Sequence, residues 1–373
     1  ILSLAACSDG SAPTNGTNTQ FGYRARLNLR TSFTGSDLLL TRLQSSNLEG
    51  GNSGIAGALA SGNSNRLSYD GYGSGGAANT FDVNRLYYRF LIGDARAYVG
   101  PVGATDDIID PINPLSSDSQ ATISRFGRFN PLLRVATGAP TGTVGGQQSL
   151  AGIDFKLPQG NFQVAYSANN AASANSFGAG GLFGGSTLIA TQLIWKPNTD
   201  FNLGIGYGNS YHQTNSLNSG LNQETIVNNT TGAAIAGPIR ANTLVGSLLW
   251  NLNKSVTFST WGSYVFADSV NTNASTTFTS WNAALSFPNL FAEGNLGALT
   301  FGQPLYRNSV GGVAGTTQAG ATLATPYHLE AFYRWRVSKN ISITPGVYFV
   351  FNPDSNSVNG TATVGLLRTT FSF

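Results

Sequence analysis

Phe21-Gly-Tyr-Arg-Ala-Arg-Leu-Asn-Leu-Arg-Thr-Ser-Phe33 alternates without a break. Successive side chains of an extended strand point to opposite sides. Phe21, Tyr23, Ala25, Leu27, Leu29, Thr31 and Phe33 therefore share one face, and Arg24, Arg26, Asn28, Arg30 and Ser32 share the other. Such a strand cannot pack on a dry core, because an unpaired guanidinium buried there is too costly. It suits a wall with hydrocarbon on one side and water on the other.

The last stretch, Thr361-Ala-Thr-Val-Gly-Leu-Leu-Arg-Thr-Thr-Phe-Ser-Phe373, repeats the pattern. Leu367, Thr369, Phe371 and Phe373 lie on one face, with Arg368, Thr370 and Ser372 on the other. A closing strand ending on an aromatic terminal residue is a mark of bacterial outer-membrane barrels, and it must pair with the first strand to leave no open edge.

Composition agrees. Charged residues are 10% of the chain, against about 25% in soluble proteins, while aromatics reach 11% and glycine 46 of the 373 residues. No run of about 18 apolar residues exists, so a helical span is excluded. A net charge of +3 gives no footprint for nucleic acid. The single cysteine, Cys7, leaves no disulfide framework or thiolate metal site. There is no Met and the chain opens at Ile1, so we expect a processed or truncated product with any export signal upstream.

Strands are expected at 1–6, 21–33, 37–46, 80–92, 95–100, 147–158, 160–169, 186–197, 200–213, 240–253, 255–268, 276–290, 295–307, 325–338, 340–352 and 361–373. In the fourth, Val83, Arg85, Tyr87 and Arg89 are expected opposite Asp82, Asn84, Leu86, Tyr88, Phe90 and Ile92. Leu4-Ala-Ala-Cys7 also reads as a lipoprotein processing site with Cys7 lipidated, but a strand there keeps the count even. Every second connection is short: Thr34-Gly-Ser36, Gly93-Asp94, Pro158-Gln-Gly160, Pro197-Asn-Thr199, Asn253-Lys254, Phe291-Ala-Glu-Gly294 and Lys339-Asn340. The others, 8–20, 47–79, 101–146, 170–185, 214–239, 269–275, 308–324 and 353–359, are longer. Segregated loop lengths and an even count specify an all-β fold, a 16-stranded antiparallel transmembrane β-barrel occupying 1–373 as one domain.

The third long loop, 101–146, is no flexible tip. It carries Asp106-Asp-Ile-Ile-Asp110, Pro111, Pro114, and Arg125, Arg128, Phe129 and Arg134. We expect it to fold inward and narrow the barrel, since loops of this length are functional as a rule. Arg24, Arg26, Arg30, Arg42, Arg85, Arg89 and Arg96 lie on neighbouring strands, and Glu330 and Arg334 face inward from the strand 325–338. Facing Asp106, Asp107 and Asp110, the arginines would set a transverse field at the narrowest point and a mild anion preference. Two alternatives stand beside this. The arginines could instead pair with Asp37, Asp82 and Asp94 and only stiffen the wall. The three loop carboxylates could hold Ca²⁺, although their spacing does not fit a calcium loop.

Other chemistry is sparse. His212 and His328 lie far apart with no triad-like neighbours, and Gly204-Ile-Gly-Tyr-Gly208 precedes no helix, so it is no phosphate loop. Those glycines suit close packing of strands. Trp195, Trp250, Trp281 and Trp335 read as interface girdles. No catalytic residue, cofactor or metal is expected.

Several segments resemble cyanobacterial outer-membrane porins, relatives of the OprB-type carbohydrate porins. They are Leu29 to Gln44, Leu86-Tyr-Tyr-Arg-Phe90, Ile112-Asn-Pro114 with Ser124-Arg-Phe-Gly-Arg128, Gly302-Gln-Pro304, His328-Leu-Glu-Ala-Phe-Tyr-Arg334, Asn340 to Gly346 and Arg368 to Phe373. The resemblance implies an outer-membrane homotrimer in contact with lipid, passing small hydrophilic solutes and inorganic ions passively. It also leaves carbohydrate or iron uptake, or a plugged tethering barrel, as alternatives. Full-length relatives are similar to an S-layer-homology domain and coiled coil followed by the barrel, so peptidoglycan contact would need an upstream domain.

Overall fold

The computed structural model describes residues 1–8, 19–48, 65–70, 78–135, 148–174, 180–221, 224–228, 233–312, 314–315 and 324–373. Much of the expected loops 8–20, 47–79 and 308–324, and the last part of 101–146, lies outside these.

Among the described residues, sixteen antiparallel strands close into one barrel. They are β1 (Leu2–Ser8), β2 (Gln20–Thr31), β3 (Leu38–Ser46), β4 (Asp82–Ile92), β5 (Ala95–Gly103), β6 (Gln148–Leu157), β7 (Gly160–Ala168) and β8 (Thr187–Trp195). They continue as β9 (Phe201–His212), β10 (Ile239–Asn253), β11 (Val256–Ser269), β12 (Ala274–Pro288), β13 (Leu296–Gly312), β14 (Tyr327–Arg336), β15 (Ile341–Phe351) and β16 (Thr361–Phe371). Each strand pairs with its sequence neighbour. The seam is β1 on β16, in register from Leu2 opposite Thr369 to Ser8 opposite Thr363. Pairing runs through Cys7, opposite Val364, which is the strand outcome for this segment. β13 runs to Gly312, further than the expected 307, because it stays paired with β12.

The two faces divide by polarity. Outward side chains form an apolar surface: Leu27 is 51% exposed, Leu29 49% and Phe21 64%. Trp195, Trp250 and Trp335 stand near the short-turn ends of their strands, half exposed, as girdle residues do. Trp281 sits mid-strand against Phe301. Trp261 points inward and is buried.

One strand departs from strict alternation. Arg42 lies opposite Arg85 and Leu43 opposite Val83, so Asn84 is an extra residue. This bulge puts exposed Val83 outside, while Asn84 and Arg85 are both buried. The expectation that Val83 shares a face with Arg85 is corrected by it, since one inserted residue reverses every side chain before it.

The first short turn shows how such a connection is held. Asp37 accepts from Ser32 Oγ (2.6 Å), Phe33 N (2.9 Å), Thr34 N (2.8 Å) and Tyr88 Oη (2.6 Å). The Ser32 and Tyr88 hydroxyls, more than any other group, hold its carboxyl well below the usual carboxylate range. Asp37 is thus spent on the turn, which removes it as a partner for the wall arginines.

The division of faces predicts contrasting costs. Leu27→Arg should destabilise the barrel by about 2–4 kcal/mol if it lies at the bilayer midplane. Leu91→Arg, on the water side beside Asp94 and Asp154, should cost less than about 1 kcal/mol. Equilibrium folding into lipid vesicles measures both, and equal costs would refute the assignment of faces.

Candidate functional site

The chain leaves β5 at Gly103 and turns inward through a 3-10 turn, Thr105–Asp107. The side chain of Asp107 accepts from the N–H of Ala104 (2.8 Å). Ile108 and Ile109 then enter a dry cluster with Leu150, Ala165 and Leu188 of the wall. Wall glutamines hold the backbone beyond it: Gln163 Oε1 accepts from the N–H of Asp110 (2.9 Å) and Gln192 Nε2 donates to its carbonyl (2.8 Å).

The glycines of β9 have their reason here. Gly204, Gly206 and Gly208 face inward, where Ile112 and Leu132 of the loop press so close that a Cβ at Gly204 or Gly206 would collide with them. The run is a slot for the loop. Asn130 caps a second 3-10 turn, Pro131–Leu133, and donates to Ser247 of β10 (3.3 Å).

The far side of the loop is latched by charge. Glu330 of β14, 1% exposed, accepts from Thr122 Oγ1 (2.7 Å), Ile123 N (2.7 Å), Ser124 N (3.3 Å) and Ser124 Oγ. Arg368 of β16, fully buried, donates to the carbonyls of Asp118 (3.0 Å), Ala121 (2.6 Å) and Thr122 (3.0 Å). Arg334 donates to the carbonyl of Gln120 (2.8 Å). His328 stacks between Phe126 and Tyr348. Ser124, Glu330 and His328 are the nearest thing to a catalytic set, but Ser124 bonds the carboxylate and all three are buried.

Two other loops close on the third. Residues 65–70 lie along it, with Ser68 N donating to Ile123 O (2.9 Å) and Arg125 N to Arg66 O (2.8 Å). Arg66 pairs with Asp70 (3.0 Å), and Tyr69 lies beneath the Arg368 guanidinium, 5.5 Å away. From the loop after β9, the carbonyl of Ser219 accepts from Arg125 (3.3 Å).

A narrow gap lies between this inner layer and β2–β4. Arg24, Arg26, Arg42 and Arg85 of the wall line it, as do Arg125, Arg128 and Arg134 of the loop, with Asp70 and Asp106. Asp118 takes Arg24 (3.0 Å), Arg26 (2.9 Å) and Arg128 (3.4 Å). Burial alone would raise its carboxyl, but those three guanidiniums hold it well below the usual range. Arg85 meets Asp107 (2.7 Å) and Asp106 (3.7 Å). Burial, and then the nearby Arg66, lowers Arg125 to about 9. Arginines thus converge from both sides, and the gap is predominantly basic, with Asp70 and Asp106 the carboxylates that border it.

The other expected residues lie elsewhere. Arg96 and Asp110 line a separate cleft near the short turns with Asp154, Lys156 and Lys196, so the three loop carboxylates do not meet as a calcium set would require. Arg96 reaches Asp154 at 3.8 Å. Arg30 is exposed on the inner face near the short-turn end. Arg89, also inward, stands opposite Leu38 and Tyr98. Glu330 and Arg334 hold the loop. Asp118, Arg66 and Asp70 were missed: Asp118 sits in a serine-rich stretch, and its signal was only that it is a lone charge between Pro114 and Arg125.

The chain was compared with known proteins. The model of the carbohydrate-selective porin, OprB family, matches residues 8–373. A protein of Synechocystis sp. is 32% identical over 95% of this chain, and one of Nostoc sp. is 31% identical over 95%. The chain spans 64% and 61% of those curated relatives' lengths. Among solved structures, Pseudomonas putida OprB matches with a TM-score of 0.62 at 11% identity, covering 100% of this chain and 92% of that one. The anion-selective porin of Comamonas acidovorans gives 0.60 at 10%, covering 100% and 99%. The trimer form of Vibrio cholerae OmpT gives 0.58 at 9%, covering 100% and 97%.

The latch makes two predictions. Glu330→Gln removes the charge from four hydrogen bonds and should loosen the loop by about 2 kcal/mol, with roughly thirtyfold faster amide exchange at Ile123 and Ser124. Asp118 has a lowered folded value, so its contribution is complete above the unfolded value, about 3.9, and fades only as pH falls through the lower folded one. Loop protection by Asp118 should therefore persist down to about pH 4, and Asp118→Asn should lose it at every pH. Hydrogen exchange followed by mass spectrometry reads both.

Proposed function

The chain belongs to the OprB family of carbohydrate-selective porins, and on that premise we propose that it is a passive diffusion channel whose narrowest point is the arginine-lined gap beside β2–β4. Porin membership and the closed barrel make it an outer-membrane channel rather than an enzyme. The finer reading is that small hydrophilic solutes and inorganic ions pass through the gap, with anions preferred. One observation carries it: among the described residues, seven arginines border the gap against two carboxylates, Asp70 and Asp106. A ring of one sign at a constriction raises the local concentration of the opposite ion and repels its own.

The position of the gap supports this. Apolar loop residues fill much of the inner space toward β6–β13 with a dry cluster, and solutes would be confined to the basic side. The anion-selective porin of Comamonas acidovorans shares the fold. The trimer form of OmpT supports a homotrimer, whose interface would come from the apolar outer face. Contact with peptidoglycan would need a further segment, and the chain spans only 64% and 61% of the lengths of the Synechocystis and Nostoc relatives.

A second reading, carbohydrate uptake, is favoured by the family's description. A third, a plugged tethering barrel, draws on the three loops packed inside.

In planar bilayers under a salt gradient, the reversal potential should carry the sign of anion preference at neutral pH. A cation preference would refute the arginine-lined constriction. Liposome swelling in sugars separates the rest: uptake of sugars faster than their size allows favours the second reading, and no swelling with no conductance favours the third.

A further inference from the structure

The charges around the gap are not evenly matched. Asp118 is shared by three guanidiniums, and Arg85 has Asp106 and Asp107. Among the described residues, Arg42 and Arg125 have no carboxylate partner within 4.0 Å. Arg42 spends its Nε on Asn28 (2.7 Å), and among the described residues no acceptor is bonded to its two terminal nitrogens. Arg125 gives Nε and one terminal nitrogen to Ser219 O (3.4 and 3.3 Å). The first comes from the wall and the second from the loop, and both border the same gap. Arg125 is buried and Arg42 half-buried, and guanidiniums held at one partner with donors to spare are matched to a planar face of oxygens, as in arginine recognition of phosphate.

Size narrows the class further. The gap is bordered by side chains of the wall and of a loop pinned by Glu330 and Arg368. A hexose has more than twice the heavy atoms of a tetrahedral oxyanion and carries no charge for the guanidiniums to pair with. Chloride fits but can take few of the donors at once.

The geometry points to a resident binding site for a doubly charged tetrahedral oxyanion, inorganic phosphate or the phosphate group of an ester, between Arg42 and Arg125. It rests on the channel reading above and adds to it a saturable station on the path. Arg26 and Arg128, already held by Asp118, flank the station and keep its potential positive. An anion there would relieve the mutual repulsion of wall and loop arginines, which the chain's own carboxylates only partly offset.

The test uses the full chain in planar bilayers, with chloride as the current carrier and inorganic phosphate added at mildly alkaline pH. Phosphate should reduce the chloride current saturably, and glucose at equal concentration should not. Arg42→Gln and Arg125→Gln should each raise the half-blocking concentration about tenfold or more, the loss expected of one charge-assisted contact. Arg240→Gln, on the outer face of β10, should shift nothing. If either glutamine variant fails to fold, Arg42→Lys or Arg125→Lys keeps the charge, loses the fork, and should shift the block severalfold. A sugar phosphate that blocks at lower concentration than inorganic phosphate assigns the site to the ester; the reverse assigns it to the free ion. Chloride current with no saturable block, or a block unmoved by every variant, overturns the site and leaves the channel standing. Absence of any chloride current overturns both.

Discussion

Arg368 has no water to turn to. It is fully buried, and its terminal nitrogens are satisfied by three carbonyl oxygens of the loop between Asp118 and Thr122. A guanidinium placed inside a barrel must find acceptors or incur a large desolvation cost, and here the acceptors are backbone. Glu330 makes the complementary demand and takes its donors from Thr122, Ile123 and Ser124. Between them the two charges fix both the backbone direction and the depth of the loop, because a one-residue slip would strand donors and acceptors together.

From that anchor the rest of the interior follows. With its middle held against β14–β16, the loop crosses the barrel twice, out from β5 and back to β6, and its apolar residues on both passes are laid against the wall. The glycine run of β9 admits Ile112 and Leu132 at close range, so the loop packs as a layer and not as a free strap. The dry clusters and the wet basic gap are thus two sides of one structure. Apolar burial on one side forces the polar residues of the loop, Arg125, Arg128 and Arg134 among them, toward β2–β4.

The same arrangement accounts for how a strongly basic gap is tolerated. Phe129 lies between two guanidiniums, 4.2 Å from Arg128 and 5.0 Å from Arg134, and its ring face attracts cations. Asp118 neutralises part of the charge of Arg128 and of two more, Arg24 and Arg26. The residual positive charge is retained in the gap between the loop and β2–β4, where low-dielectric walls concentrate its field. The rigidity of the loop and the charge of the gap therefore depend on the same ion pairs.

The alternation of Phe21 to Phe33, the even strand count and the unequal connections were enough by themselves to determine a closed barrel, its inner and outer faces and an inward third loop. These are local properties, since a period of two and the length of a turn are properties of neighbours in the chain. Three features were beyond that reading. The bulge at Asn84 depends on the register of β3 against β4, and the identity of the lone carboxylate Asp118 as the hub of the arginines depends on how far the loop reaches across. Arg66-Leu-Ser-Tyr-Asp70 looked like part of a glycine- and serine-rich loop and became a second inner layer for the same reason. Which charges meet inside the barrel is decided by the path of loops whose contacts are hundreds of residues apart, such as Glu330 with Ile123, and no pattern along the chain encodes a distance of that kind.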